Sequence, residues 1–315
     1  AQLLGVAYRL LGTMTDAEDV LQDVFERWLR ADRSNVENPA AYLTTMTTRA
    51  GIDRLRSARA RREIYVGPWL PEPITTSARL EDPAAVAELD ESLTIGYLYL
   101  LEELKPVERA VYLLHDVFDF SFREVAAMVD REEANCRQLA SRARSRLKAR
   151  RPDEYRSPPA DVEADLCHRL VDAVTAGDIE RVMALMSEDV VHVSDGGEHH
   201  RAARQPVVGR ERVARLLVNL AARLPGVDQL GAERSGSDQL RAEQAGVEPS
   251  GAEVELRLLR ANQQPAVLVL VGGRPLVLVV IELANDLVRR IYAVVNPDKL
   301  QSVVGDEWPG AAPGD

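Results

Sequence analysis

The chain has 315 residues, of which 46% are hydrophobic and 28% charged, and its formal net charge is -11. That length suffices for two or three units with separate cores, and no apolar run approaches the roughly 20 residues a membrane-spanning helix needs. With only Cys136 and Cys167 there is no disulfide framework and no multi-cysteine zinc site, and the opening AQLLGVAYRLLG lacks a signal-peptide pattern, which points to the cytoplasm.

Residues 15–30, TDAEDVLQDVFERWLR, set Ala17, Val20, Leu21, Val24, Phe25, Trp28 and Leu29 at helical spacing. Thr15 with Glu18 reads as a capping box. The opposite face carries Asp16, Asp19, Gln22, Asp23 and Glu26, either a solvated stripe or a docking face for a basic partner. Pro39 then starts a second helix that grows basic toward its end, with six arginines and one aspartate between Arg49 and Arg62. Residues 63–92 contain Pro68, Pro71, Pro73 and Pro83 and read as a linker. Within it WLPEP is too apolar for a spacer, so Trp69 and Leu70 should dock.

Helical pattern returns over residues 93–151. Ser121 and Glu124 form a capping box for a short helix, a break follows at Asp130, and a longer basic helix ends in seven cations between Arg137 and Arg151 with no carboxylate. At 100° per residue that helix buries Cys136, Leu139, Ala140, Ala143 and Leu147 and turns Arg137, Ser141, Arg144 and Lys148 outward, flanked by Gln138 and Arg142. Short helix, tight turn and longer basic helix make a helix-turn-helix. Arg137, Gln138 and Arg142 are of types that read base edges; Arg144, Arg146, Lys148, Arg150 and Arg151 suit phosphates. Two solvated helix faces are the competing reading.

After a proline-marked linker at 152–160, helices are expected over 161–176, 179–186 and 210–222, with a short strand VVHV and a turn-rich DGGEHH between them. Residues 225–252 read as a polar loop. VELRLLR, AVLVLV, PLVLVVIEL and LVRRIYAVV, separated by NQQP, GGRP and AND, predict hairpins in a curved antiparallel sheet. Asp195, His192 and Glu282 are the only candidates for proton-transfer chemistry in this part, and catalysis is not expected: Asp195 serves as a turn residue and His192 as a strand residue. His192, His199 and His200 lack metal-site spacing, so neither metal nor cofactor is expected.

In order, AYRLLGTMTDAEDVLQDVFERWLR, PAAYLTTMTTRAGIDRLRS, WLPEP, CRQLASRAR, DGG and the terminal NPDKL resemble the extracytoplasmic-function sigma factors of the subgroup with a SnoaL-like extension. The resemblance implies two all-α sigma domains, region two at 1–62 and a region four helix-turn-helix at 93–151. It adds a C-terminal α+β SnoaL-like cone at 161–300 and a tail at 301–315. It implies that Asp16, Asp19, Gln22 and Asp23 bind core RNA polymerase. Asn38, Tyr42, Thr45, Thr48, Arg49 and Arg54 would open and read the nearer promoter element, and the helix of Arg137, Gln138, Ser141, Arg142, Arg144 and Lys148 the distal one. Trp69, Leu70 and Pro71, with Asp195, Gly196 and Gly197 and with Asn296, Pro297, Asp298, Lys299 and Leu300, would carry interdomain regulation. Partners would be core polymerase, promoter DNA and a small-molecule ligand in the C-terminal domain, with no membrane. The chain has Ala50 where many relatives have asparagine, and Glu198 and His199 where the subgroup's turn often reads glycine and lysine. A one-component repressor with a ligand-sensing domain, and a small-molecule isomerase with a DNA-binding appendage, are the alternatives; the acidic stripe separates the first reading from the second.

Overall fold

In the computed structural model, which describes residues 2–34, 36–62, 65–75, 93–150, 158–197, 202–224, 253–301 and 303, the chain divides into Ala1–Glu154 and Tyr155–Asp315. The first unit is helical. Helices α1 (Gln2–Leu11), α2 (Met14–Arg30) and α3 (Pro39–Arg62) pack on one another through Tyr8, Leu11, Ala17, Val20, Val24, Ile52 and Leu55. The same core continues into α4 (Ile95–Leu101), α5 (Pro106–Tyr112), a π-helical turn (Leu113–Val117), α6 (Phe122–Val129) and α7 (Glu133–Arg150). One shared core therefore joins the stretches 1–62 and 93–150.

Two local details differ from expectation. Helix α2 is capped by Thr13 rather than Thr15: the Thr13 hydroxyl accepts from the Asp16 amide at 3.3 Å and donates to the Asp16 carboxylate at 2.8 Å. Thr15 is already the second residue of the helix, past the position from which a side chain can cap the first turn. Of the expected apolar face of α2, Phe25 and Leu29 are exposed, at 44% and 67%.

The WLPEP segment is folded in, as its composition requires. Gly12, at φ +78°, ends α1, and a Cβ there would meet the Trp69 ring at 2.7 Å, so both the backbone conformation and the close approach require glycine. The Glu72 amide donates to the Gly12 carbonyl, its carboxylate accepts from the Met14 amide at 2.8 Å, and its carbonyl accepts the Tyr8 hydroxyl at 2.7 Å. A single glutamate thus ties the linker to the α1–α2 turn.

In the second unit α8 (Ala160–Thr175), α9 (Ile179–Ala184) and α10 (Arg210–Ala221) accompany a six-stranded sheet. Its strands are β1 (Met186–Asp195), β2 (Val207–Val208), β3 (Val254–Ala261), β4 (Gln264–Val271), β5 (Arg274–Ala284) and β6 (Leu287–Val294), in the order β2-β1-β6-β5-β4-β3. The run β3 to β6 is the antiparallel meander expected. Its turns place Asn262 and Gln263, Gly272 and Gly273, and Asn285 and Asp286 at positive φ, as two-residue hairpins with right-handed twist demand. VVHV is part of the longer β1, which pairs parallel to β6 and makes the sheet mixed; α9 correspondingly stops at Ala184, before Met186. Register shifts in the β1/β6, β4/β5 and β5/β6 pairs bend the sheet. Leu166 and Leu170 of α8 and Val213 of α10 share a core with Val267, Ile281 and Ile291 of the sheet. Cys167 is buried here, its thiol pushed up to about 12 by burial, and Cys136 is buried in the first unit.

Candidate polymerase-facing and nucleic-acid-facing surfaces

Helix α7 has the two faces its spacing predicts. Cys136, Ala140, Ala143 and Leu147 are buried, Leu139 is half-buried, and Arg137, Gln138, Ser141, Arg142, Arg144 and Lys148 are exposed. Before it, Ser121 and Glu124 close a reciprocal capping box on α6, and Asp130 ends that helix in the left-handed conformation at φ 54°, which makes the turn tight. The cations are held at different points. Arg137 pairs with Glu133 one turn back and lies over the Phe122 ring. Arg144 bonds Asp116 at 2.5 Å, which raises its pKa, and Arg146 bonds the buried Glu108 at 2.8 Å. Arg142 forms no ion pair among the described residues. Asp116 and Glu108 thus orient the basic helix, a role sequence reasoning missed because both are distant along the chain.

Helix α3 splits the expected reader residues. Asn38 caps it, its side chain accepting from the Ala41 amide at 3.1 Å, while Tyr42 is exposed and lies 5.6 Å from the Trp28 ring. Thr45 is half-buried and its hydroxyl donates to the Ala41 carbonyl. Thr48 is fully buried, at 0% exposure, so in this arrangement it cannot touch DNA. Arg49 reaches across to donate to the carbonyls of Met128 and Ala127, both at 2.9 Å. Those are the otherwise unpaired carbonyls at the C-terminus of α6, where a cation also suits the helix dipole.

The acidic stripe lies along α2 as expected, with Asp19, Gln22 and Asp23 exposed and Asp16 half-buried. Arg54 spans its first turn, bonding Asp16 at 2.7 Å and Asp19 at 3.0 Å; the Asp16 hydrogen bond raises the guanidinium pKa. The sequence placed Arg54 on the DNA side and Asp16 on the polymerase side; the structure pairs them. Beside the stripe Phe25 and Leu29 add exposed apolar surface.

The linker motif is anchored by charge as well as by packing. Arg62 lies 3.4 Å over the Trp69 ring and pairs with Glu102, whose other oxygen pairs with Arg109. Burial pushes the Glu102 carboxyl up, but Arg109 and Arg62 outweigh it and hold it below the usual carboxylate range. Arg109, itself buried, also donates twice to the Arg9 carbonyl. Leu70 and Pro71 are buried.

In the second unit DGG and NPDKL form one site. Asp195 is fully buried and bonds the Lys299 ammonium at 2.7 Å, its other oxygen accepts from the Gly197 amide at 3.1 Å, and its carbonyl accepts from the Val295 and Asn296 amides. Asn296 caps Pro297–Leu300 (α11) through the Asp298 amide, and a Cβ on Gly197, at φ +67°, would strike the Asn296 side chain at 2.9 Å. Leu300 is buried beneath, and Gly196 lies between the two anchored positions. Asp195 is therefore spent on an ion pair, as is Glu282, which pairs with Arg290 at 2.9 Å and accepts the Tyr292 hydroxyl. His199 and His200 lie outside the described residues, and no cluster that could hold a metal occurs among the described ones.

Residues 1–61 match Sigma-70 region 2, and residues 97–147 match Sigma-70, region 4. The chain is 39% identical over 226 residues to the ECF RNA polymerase sigma factor SigJ of Mycobacterium tuberculosis, covering 71% of this chain and 72% of that one. To the probable ECF RNA polymerase sigma factor SigI of the same species it is 29% identical over 215 residues, 68% and 71% of the two chains. The crystal structure of the M. tuberculosis extracytoplasmic-function sigma factor SigJ superposes with a TM-score of 0.70 at 30% identity, over 96% of this chain and 95% of that one.

Proposed function

Because the chain belongs to the extracytoplasmic-function RNA polymerase sigma factors, we propose how its surfaces divide the work of initiation. It is a cytoplasmic, non-enzymatic initiation factor that binds core RNA polymerase and directs it to promoter DNA. The observation that carries the assignment of surfaces is α7: one face packed on the core, the other exposing Arg137, Gln138, Ser141, Arg142, Arg144 and Lys148 after a capped helix and a tight turn. That face enters the major groove at the distal element. Asn38, Tyr42, Thr45 and the first turns of α3 serve the nearer element, while Arg49 and Arg54 reach DNA only by exchanging their protein partners for phosphate. The Arg54 ion pair with exposed Asp19 contributes about 1 kcal/mol or less, and the two Arg49 hydrogen bonds to carbonyls about 1–2 kcal/mol, which contacts to phosphate can offset.

The α2 surface around Asp19, Gln22 and Asp23, with Phe25 and Leu29, docks on the polymerase: apolar area supplies affinity and the carboxylates supply orientation. A stand-alone repressor has no use for it. Transcription reconstituted with purified core polymerase tests the division. Gln22→Lys with Asp23→Lys should abolish core binding in a pull-down while leaving promoter-fragment binding intact; undiminished core binding would refute the docking assignment. The site of Asp195, Lys299 and Asn296, together with the WLPEP segment, is proposed to let the SnoaL-like domain regulate the sigma unit.

A further inference from the structure

Arg137 stands one turn into α7, in the N-terminal part of a recognition helix, which is the part that meets base edges. It is held there from two sides. Its Nη2 donates to the Glu133 carboxylate one turn back, and its guanidinium carbon lies 5.4 Å from the centre of the Phe122 ring. The other N–H groups of the fork stay available to a further pair of acceptors.

Phe122 is itself fixed. It opens α6 directly after the Ser121 cap, packs against the core of the helical unit, and stacks on the His115 ring with centroids 3.7 Å apart. His115 Nδ1 faces the Phe120 carbonyl at 2.7 Å, so that nitrogen carries a proton and donates a hydrogen bond, which sets the plane of the imidazole. The first helix of the helix-turn-helix thus provides a platform, and the second lays an arginine against it.

An arginine free on a helix surface loses rotamer freedom when it binds, whereas one ordered beforehand loses less. Glu133 has a second effect. Its side chain is 42% exposed at the end of α7 that approaches a polyanion, so it repels phosphate and lowers affinity for every sequence alike. A carboxylate in the first turn also suits the helix dipole, but the dipole does not account for the arginine and the ring that converge with it.

We infer that Glu133 and Phe122 are positioning residues for promoter reading: they preset the Arg137 fork for O6 and N7 of one guanine in the distal element, lowering general affinity for DNA while sharpening discrimination at that base pair. The inference rests on the assignment of α7 as the distal reader and deepens it.

The test uses the full chain assembled with core polymerase and a library of duplexes with randomised sequence; sequencing the bound fraction gives the base preference at each position. Arg137→Ala should abolish a guanine preference at one position and so identify it. Glu133→Gln and Phe122→Leu should each reduce the preference at that same position by about two- to tenfold, with the other positions unchanged. Phe122→Tyr, which keeps the ring, should restore it. Glu133→Gln should also raise affinity for unselected duplexes about twofold, a gain that a merely structural role would not produce. In the Arg137→Ala background neither substitution should alter the preference further. If Arg137→Ala removes no guanine preference, its place as a base reader falls and the inference with it. If Arg137→Ala removes the preference but Glu133→Gln and Phe122→Leu leave it intact, change all positions equally, or still act without Arg137, the positioning role is overturned while the reader assignment stands.

Discussion

Glu102 is the residue on which the helical unit depends most for charge balance, since it faces the buried Arg109 and the largely buried Arg62 at once. Removing one member of such a cluster leaves its partners uncompensated, at a cost of about 3–5 kcal/mol, so Glu102→Gln should lower the denaturant midpoint of this unit accordingly. The sign with pH follows. The folded pKa lies below the unfolded value of about 4.3, so the stabilisation is fully present above that pH and is lost as pH falls through the folded pKa. Acid unfolding below about pH 4 should therefore be less steep in Glu102→Gln than in the parent chain. Asp195 and Lys299 make a second buried pair, and Lys299→Met should cost a similar amount. The double variant Asp195→Asn, Lys299→Met should recover most of that loss in a thermal-melt cycle, because no charge is then left unpaired.

Helices were legible in the sequence where burial repeats with their own period. The two faces of α7, the Ser121 cap of α6 and the three hairpins follow from spacing and turn chemistry alone, and WLPEP announced its docking by being too apolar for a linker. Helix α3 was not legible in the same way. Its reader residues surround the axis, and which side is covered depends on neighbours that the local pattern does not show: Thr48 is buried, and Arg49 bonds the C-terminal carbonyls of α6, some 80 residues later. The cavity of about 500 Å³ in the second unit was equally hidden, because its wall comes from two helices and five strands that no local pattern links. Two expectations belong to these elements. Arg49→Ala should remove about 1–2 kcal/mol and speed hydrogen exchange at the C-terminal amides of α6. On α7, Arg142→Ala should relax discrimination at one promoter position by about 1–3 kcal/mol, whereas Lys148→Ala should weaken all sequences alike and flatten the salt slope. Equal, sequence-independent losses in a binding series would show both to be phosphate contacts.

At the scale of the whole molecule the two units carry opposite duties in one electrostatic field. Residues 159–315 contain 16 Lys and Arg against 24 Asp and Glu, so most of the chain's net negative charge is attached to a unit whose partner must approach a polyanion. A tethered acidic unit lowers the potential at the basic helices and slows association with DNA, an effect that acts at a distance and is screened by salt. Ending the chain at Pro158 should therefore raise the association rate with promoter fragments several-fold in 50 mM salt, and the advantage should shrink toward none at 500 mM. Transcription separates this from a specific regulatory role: Lys299→Met, which strands Asp195 yet makes the unit one charge more negative, should raise initiation at saturating core polymerase, as should truncation before Asn296, which also removes a net charge of -3. If only the cut at Pro158 changes the output, and only at low salt, the fused domain acts through its charge alone and the DGG–NPDKL site is purely structural.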